Sequence, residues 1–260
     1  VGNAGRQVLR QGLAVFKAKH QIDCSIVNVE NVAGGSGLTA ALYEKLLRYG
    51  VDMMTLGDHI YRRRDIISVL ERSNAIVRPA NYPAGAPGKD VAIFTTRAGP
   101  RVAVISLMGR MYMKPPTNCA FAAVDRVLAS LPPDIRIIVV DMHAEATSEK
   151  VAMGWHLDGR VSVVFGTHTH IPTADEVVLP GGTAYVTDLG MTGPYDSVLG
   201  RDKDRVLAAM RTGLPTMFDV ATGDPRMVPI VVSVDAKTGR ATAIQRLRFD
   251  GADEGYQEGT

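Results

Sequence analysis

Short apolar runs rich in β-branched residues alternate along the chain with longer amphipathic stretches. The short runs predict buried strands, and the stretches with apolar residues three or four positions apart predict helices. The predicted strands span 24–29, 51–56, 91–96, 101–107, 136–141, 161–165, 176–179, 184–187, 216–220, 230–234 and 241–247. The predicted helices span 6–19, 39–49, 65–71, 120–131, 148–157 and 202–211. This alternation predicts an α/β sandwich with sheets in the middle and helices outside.

The size and composition of the chain are those of an ordinary globular protein. It has 260 residues, of which 46% are hydrophobic, so we expect one domain over 1–250 and a polar, disordered tail over 251–260. No apolar segment approaches the ~20 residues that span a bilayer, and no signal peptide is visible, so we expect a cytoplasmic protein. The net charge of +2, with scattered basic residues, gives no strong nucleic-acid signal.

The start of the chain departs from the alternating pattern. The segment Val1-Gly2-Asn3-Ala4-Gly5 has the character of a glycine-bearing turn that leads into a helix, yet no strand precedes it. In an alternating protein such a turn follows a strand. We therefore expect that a first strand, with the residue at its carboxyl end, is missing from this sequence.

Polar residues that bind metal ions follow four of the predicted strands. A single histidine after a strand is more often structural, but four of the six histidines occupy such places, which reverses that preference. Two histidines separated by one residue in extended chain point to the same side. Histidine and carboxylate ligands without cysteine suit manganese, iron or zinc, and added asparagine often accompanies a two-metal centre. The candidates are Glu30, Asn31, Asp58, His59, His143, His168 and His170.

A set of longer motifs surrounds these residues. The motifs are Asn28-Val29-Glu30-Asn31 with Gly34-Gly35, Gly57-Asp58-His59, Arg78-Pro79-Ala80-Asn81-Tyr82-Pro83, His143-Ala144-Glu145-Ala146-Thr147-Ser148-Glu149-Lys150, Gly166-Thr167-His168-Thr169-His170 and Asp188-Leu189-Gly190-Met191-Thr192-Gly193-Pro194. With them the chain resembles the calcineurin-like metallophosphoesterases, specifically their bacterial YmdB-like branch. The resemblance extends over nearly the whole chain.

This resemblance implies a fold, an activity and a role for each matched residue. The implied fold is a four-layer α/β/β/α sandwich, and the implied activity is hydrolysis of phosphoesters, with cyclic nucleotides as the substrates of this branch. Two divalent ions would hold an attacking hydroxide and clamp the phosphate oxygens. Carried over by position, Glu30 bridges both ions, His170 holds one, and His59 is the general acid. The other ion is held by Asn31, Asp58, His143 and His168.

Two departures from the family pattern bear on these expectations. Family members begin with a strand ending in Gly-Asp-x-Val-Gly, whose aspartate is a metal ligand, and this sequence starts within that motif at Val1-Gly2. The second departure is at Asp58: the family motif is Gly-Asn-His, and this chain has Gly57-Asp58-His59. A carboxylate there still ligates a metal, but its negative charge makes a metal-bound water less acidic and a phosphate less welcome.

Other interpretations and contacts remain open at this point. Asn81 and Tyr82, in the proline-rich loop, are expected to line a pocket for a small phosphoester or cyclic nucleotide, and a homo-oligomer is compatible with the sequence. The absent aspartate and Asp58 also suit a regulatory or scaffold protein with a weakened metal site. A metal-dependent hydrolase of another bond type, such as an amidohydrolase, also uses a His-x-His pair, but in its first strand, whereas here the pair comes late.

Overall fold

The computed structural model describes residues 1–250, which form six α-helices and thirteen strands. The helices are α1 Gly2–Lys19, α2 Ala40–Arg48, α3 Ile67–Arg72, α4 Ala120–Ser130, α5 Thr147–Leu157 and α6 Lys203–Thr212. The strands are β1 Ile26–Asn28, β2 Met53–Thr55, β3 Val91–Thr95, β4 Arg101–Met108, β5 Ile137–His143, β6 Val163–Thr167, β7 Val177–Val178, β8 Ala184–Val186, β9 Gly193–Pro194, β10 Pro225–Met227, β11 Ile230–Val234, β12 Ala241–Arg246 and β13 Phe249–Asp250. The predicted tail over 251–260 lies outside the described residues, and the single domain over 1–250 stays a prediction.

The largest sheet has six strands in the order β3-β4-β5-β6-β8-β7. Its four inner strands run parallel, and β3 and β7 are antiparallel to their neighbours. Met108 of β4 lies opposite His143 of β5, which in turn lies opposite Thr167 of β6. The carboxyl ends of these three strands therefore meet at one edge, where open α/β sheets place their functional sites.

This sheet is buried on both faces, which explains why its strands are nearly continuous apolar runs. Along β4, Ala103 and Ile105 belong to one apolar cluster that includes α4 and α5. Val102 and Val104 point to the opposite face and belong to a second cluster, which includes Met53 of β2 and strands β11 and β12. The alternation of residues along one strand thus joins two layers of the core.

Three smaller sheets complete the described fold. Strands β1 and β2 pair in parallel, β11 and β12 form an antiparallel hairpin, and the third sheet has the order β13-β10-β9. Helices α1, α2 and α3 contribute to a third apolar cluster with residues that flank β1 and β2. Asn28 lies opposite Thr55 at the ends of β1 and β2, so the segments that carry Glu30 and Asp58 start side by side.

A cavity of about 610 Å³ lies between α1, β1, β11 and the face of the six-stranded sheet. Apolar side chains such as Leu9, Val27, Val139, Phe165 and Val231 line it. Among the described residues, β1 pairs with β2 alone and β11 with β12 alone, so each has one unpaired edge. At one end the cavity reaches the candidate metal ligands Glu30, His143, His168 and His170.

Most predicted elements are present, with ends that differ by a few residues. Thr39 caps α2 as expected, accepting a hydrogen bond of 3.2 Å from the Leu42 amide, and Gly50 follows the helix with a φ of +93°. Helix α1 begins at Gly2, four residues earlier than predicted. The predicted opening turn is instead the first turn of this helix, and Gly5, which has no Cβ, lets it pack closely against the Thr192 carbonyl.

One predicted strand is wrong. Residues 216–219 form no strand, and only Val220 makes an isolated bridge, to Arg201. The segment has β-forming residues but stays largely exposed, and strand propensity acts only where a neighbouring strand and a core receive the side chains. Conversely, the short strands β9, β10 and β13 were not predicted. Strands β9 and β10 contain proline or glycine, which weaken a strand pattern.

None of the helices formed by residues 1–250 combines the length and the apolar character needed to cross a bilayer.

Candidate metal centre

Four side chains from four separate strand ends converge on one small volume. Glu30 follows β1, Asp58 follows β2, His143 ends β5 and His168 follows β6. Each offers one ligand atom, and these four atoms all lie within 4.8 Å of one another. The sequence separates Glu30 from His168 by more than a hundred residues, so the shared edge of the strands creates this cluster.

His143 stands at the centre of the cluster. Its Nε2 atom is 3.0 Å from Asp58 Oδ1, 3.3 Å from Glu30 Oε2 and 3.1 Å from His168 Nδ1. Two imidazole nitrogens and two carboxylate oxygens thus face each other across distances that one cation can bridge. This donor set is the one that borderline divalent ions prefer, and the residues present therefore fit a metal ion.

The charges in the cluster are tightly coupled. Burial alone lowers the pKa of His143, but the carboxylates of Glu30 and Asp58 outweigh burial and raise this pKa to about 9. Burial alone raises the pKa of Asp58, but its contacts with the His143 and His168 rings outweigh burial and hold this pKa well below its usual range. Positive charge beside the two carboxylates is therefore stabilising. A divalent cation held by the same atoms would supply that charge in place of the imidazole proton.

A buried polar network fixes the orientation of the His143 ring. Thr167 Oγ1 donates to Asp141 Oδ1 at 2.6 Å, so it accepts from His143 Nδ1 at 2.8 Å, which leaves Nε2 to face the cluster. The fully buried Asp141 carboxylate also accepts from Asn28 Nδ2 at 3.0 Å and Thr55 Oγ1 at 2.5 Å. Residues of β1, β2, β5 and β6 are thus joined beneath the cluster. Such outer contacts set the tautomer of a metal-binding histidine.

His170 and Asn31 lie beside the four-residue cluster. His170 Nδ1 donates to the Leu199 carbonyl at 3.0 Å, so its Nε2 atom carries a lone pair, and this atom is 3.1 Å from Asn31 Nδ2. Burial lowers the pKa of His170 to about 4, which keeps the ring neutral. Asn31 Nδ2 also donates to Glu30 Oε1 at 3.1 Å. Asn31 therefore contacts Glu30 directly, and His170 is linked to Glu30 through Asn31.

His59 lies at the outer border of the cluster. Its Nδ1 atom is 2.8 Å from Asn31 Oδ1, and its Nε2 atom is 3.5 Å from Asp58 Oδ2. A quarter of the side chain is exposed, whereas only 2% of the Glu30 side chain is. His59 thus contacts the candidate ligands and also reaches solvent. Its role as general acid stays a prediction.

The two predicted substrate-binding residues have different surroundings. The buried Asn81 amide donates to the carbonyls of Met108 and Asn118 at 2.7 and 2.9 Å, and its oxygen accepts from the Met108 amide. These bonds hold neighbouring loops together. Tyr82 is also buried, and burial raises its pKa, with a further contribution from Asp58. Tyr82 therefore lies close to the cluster, and substrate contact by either residue stays a prediction.

The turn that carries His168 and His170 is conformationally unusual. Both histidines have left-handed backbones, with φ of +100° and +67°, a region that non-glycine residues rarely adopt. Between them, the backbone N–H and Oγ1 of Thr169 donate to Asp188 Oδ2 at 3.2 and 2.8 Å. Asp188 in turn pairs with Lys150 Nζ at 2.7 Å, and both side chains are 1% exposed. These contacts anchor the turn and give Asp188 a structural role.

Three supporting residues were missed from the sequence. Asp141 lies two positions before His143 and so on the same side of β5, a signal that was available. Lys150, in the first turn of α5, and Glu145, whose Oε2 atom is 3.2 Å from His168 Nε2, gave no such signal. Their contacts join segments that are brought together only by the fold.

The fold and the site together define an α/β protein in which histidine and carboxylate side chains that could hold a metal ion meet at the carboxyl edge of the strands. A family model described as "YmdB-like protein" matches residues 1–247. The chain therefore belongs to the YmdB-like family, and the resemblance predicted from its motifs is confirmed.

Individual relatives agree with this assignment. The chain is 41% identical to a 2′,3′-cyclic-nucleotide 2′-phosphodiesterase of Bacillus subtilis, over 95% of this chain and 93% of that protein. It is 32% identical to a putative phosphatase/phosphodiesterase of Mycoplasma pneumoniae, over 98% of this chain and 92% of that protein. Solved structures that are similar include a hypothetical protein of Thermus thermophilus, with a TM-score of 0.89, 38% identity and 96% of each chain covered. A novel phosphatase of Mycoplasma pneumoniae matches with the same TM-score, 32% identity and coverage of 96% and 90%. The chain is an enzyme, as predicted.

The backbone at Gly57 generates the first prediction. A Cβ atom at this position would collide with His143 Nε2 and Glu30 Oε2, so Gly57→Ala must displace the cluster. We expect the variant to lose bound divalent metal, measured by elemental analysis of the purified protein. Gly85→Ala is the matched control, because a Cβ atom there meets nothing within 4 Å. Wild-type metal content in Gly57→Ala would contradict the assigned geometry.

The buried pair of Lys150 and Asp188 generates the second prediction. Removing one member leaves an uncompensated buried charge, so we expect Lys150→Met to lower the free energy of unfolding by about 3–5 kcal/mol in urea titrations. Lys203→Met is the control, because Lys203 pairs with Asp196 on the surface, where water screens the charges, so its loss should lower the free energy of unfolding far less. Equal losses in the two variants would disprove the anchoring role of Lys150.

Proposed function

We propose that this enzyme hydrolyses phosphodiesters, with cyclic nucleotides as its substrate class, by means of two divalent metal ions. One observation carries the proposal: the ligand atoms of Glu30, Asp58, His143 and His168 all lie within 4.8 Å of one another. The name of the Bacillus subtilis relative, a 2′,3′-cyclic-nucleotide 2′-phosphodiesterase, supports the substrate class. The names of the Mycoplasma relatives support phosphoester hydrolysis more broadly.

The ligands divide between two ions in this proposal. One ion would be held by Asn31, Asp58, His143 and His168, the other by His170, and Glu30 would serve as a ligand of both. Nitrogen and oxygen donors without thiolates suit iron, manganese or zinc. When bound, such ions activate water and neutralise negative charge on phosphate oxygens.

His59 is the proton donor in this proposal. Its Nδ1–H donates to Asn31 Oδ1 at 2.8 Å, which orients the ring and leaves Nε2 on the accessible side of the cluster. In the imidazolium form Nε2 also carries a hydrogen, which it can deliver to the leaving oxygen that would otherwise depart as an alkoxide, and the ring is left neutral with its hydrogen on Nδ1. Tyr82, buried close to Asp58, is proposed to line the substrate pocket, and Asn81 is proposed to support its loop.

A second candidate function is a regulatory or scaffold protein that binds metal without turnover. The observation that favours it is Asp58, whose added negative charge opposes an incoming phosphate. The two functions differ in a measurable way, because a scaffold keeps its metal ions and lacks hydrolytic activity.

The main test is hydrolysis by purified protein supplied with manganese, iron or zinc. We expect turnover of 2′,3′-cyclic nucleotides and bis-aryl phosphates, and slower turnover of aryl phosphomonoesters. His59→Ala should lower kcat by about 10²–10⁴-fold with metal content unchanged, because a general acid acts on the leaving group. His168→Ala should lose metal as well as activity.

Two outcomes would overturn parts of this proposal. Metal-loaded protein that hydrolyses none of these phosphoesters would favour the scaffold function. Metal loss in His59→Ala equal to that in His168→Ala would identify His59 as a ligand and remove it as the acid.

We also propose a four-layer α/β/β/α arrangement in which one further strand occupies the cavity beside β1. Three apolar clusters, stacked between successive layers of helices and strands, support the four layers. The 610 Å³ apolar cavity and the unpaired edges of β1 and β11 support the additional strand. Its carboxyl end would lie near His170, where a further acidic ligand would complete the second ion's site.

Intact mass of the protein purified from its source organism tests the additional strand. We expect a mass that exceeds 27.9 kDa by roughly ten residues, because an unpaired central strand edge and a large apolar cavity are both destabilising. A mass equal to that of these 260 residues, together with two tightly bound ions per chain, would refute this part of the proposal.

A further inference from the structure

Glu145 lies beside the candidate metal centre without belonging to it. It follows His143 by two residues, in the short connection between β5 and α5. Its Oε2 atom is 3.2 Å from His168 Nε2, and half of its side chain is exposed. It is not among the four residues whose ligand atoms lie within 4.8 Å of one another.

The two nitrogens of the His168 ring face different partners. Nδ1 is 3.1 Å from His143 Nε2 and 3.5 Å from Asp58 Oδ1, so it faces the cluster. Nε2 faces the Glu145 carboxylate. A neutral imidazole carries a hydrogen on one nitrogen and a lone pair on the other. A carboxylate that accepts a hydrogen bond at Nε2 keeps the hydrogen there and leaves the Nδ1 lone pair for a metal ion.

We propose that Glu145 is a positioning residue that accepts a hydrogen bond from His168 Nε2–H and so fixes Nδ1 as the metal-binding atom of His168. The inference rests on the proposed function only in that the cluster binds a divalent ion. It does not depend on which phosphoester is hydrolysed.

The contrast with His143 explains why His168 needs such a partner. The His143 ring is fixed from below by Thr167 and the fully buried Asp141, and it presents Nε2. His168 presents the opposite nitrogen, from a turn with a left-handed backbone at the mouth of the site. Asp188 anchors that turn through Thr169 and not through the His168 ring. The ring orientation therefore depends on Glu145, whose charge also makes the ring a stronger electron donor.

The test compares Glu145→Gln and Glu145→Ala with a matched control. Asp125→Asn is the control, because Asp125 forms a similar carboxylate–histidine contact, 3.0 Å from His156 Nε2 and 46% exposed, between α4 and α5. Affinity for Mn²⁺ is measured by isothermal titration calorimetry after removal of divalent ions with a chelator. The His168 tautomer is read from long-range ¹H–¹⁵N NMR spectra of the ion-free protein.

The expected result has two parts. Glu145→Ala should weaken Mn²⁺ binding by about 10–100-fold, the usual effect of removing a partner of a metal ligand, and Glu145→Gln should weaken it less, because the amide oxygen still accepts from Nε2–H. Asp125→Asn should bind Mn²⁺ as the wild type does. In the ion-free wild type His168 should carry its hydrogen on Nε2, and Glu145→Ala should populate both tautomers.

Each contrary result has a distinct meaning. Wild-type affinity in both variants, or a hydrogen on His168 Nδ1, overturns the positioning role. Unchanged affinity with a lower kcat overturns it in favour of contact with substrate, and equal losses in both variants with the tautomer unchanged overturn it in favour of direct ligation. Absence of hydrolysis by the wild type, with the expected tautomer and affinities, would refute the proposed function and leave the role of Glu145 standing.

Discussion

The negative charge gathered at Glu30 and Asp58 is the constraint on which the rest of the structure depends. Removing carboxylates from water costs several kcal/mol per group unless opposite charge and hydrogen bonds compensate. Here the compensation comes from His143, at 3.3 and 3.0 Å from the two carboxylates, and from His168. These partners reach one point only if the ends of β1, β2, β5 and β6 coincide. The register of two sheets is therefore tied to one cluster of charges.

A second set of buried polar groups keeps these strand ends together. Asp141 joins the ends of three strands through Asn28, Thr55 and Thr167, so a shift of any one strand leaves a buried carboxylate with fewer donors. The pair of Lys150 and Asp188 acts in the same way on the histidine turn. The strained backbone of that turn persists because the surrounding contacts determine it. Rigidity at the site thus comes from polar networks below it, which are as specific as apolar packing.

The apolar runs before Asp58, His143 and His168 were enough to predict that these side chains meet, because parallel strands share an edge at their carboxyl ends. The order of the strands could not be predicted in this way, because the apolar runs resemble one another and do not show which strands are neighbours. The contact of Glu145 with His168 likewise depends on how a connection folds back over the neighbouring strand. The wrong strand over 216–220 has the same cause. Local propensity says nothing about whether a partner strand is near.

The departure at Asp58 has consequences that follow from its position. Its Oδ1 atom contacts His143, and its Oδ2 atom lies 3.5 Å from His59. One carboxylate thus belongs to the candidate metal cluster and also lies beside the proposed acid. Compared with the asparagine that the resemblance leads us to expect there, a carboxylate would bind a cation more strongly and repel an anionic substrate. A phosphomonoester carries close to two negative charges at neutral pH, because its second pKa is about 6, whereas a diester carries one. The repulsion would therefore be about twice as large for the monoester, so under the proposed function the charge at Asp58 is expected to discriminate against monoesters.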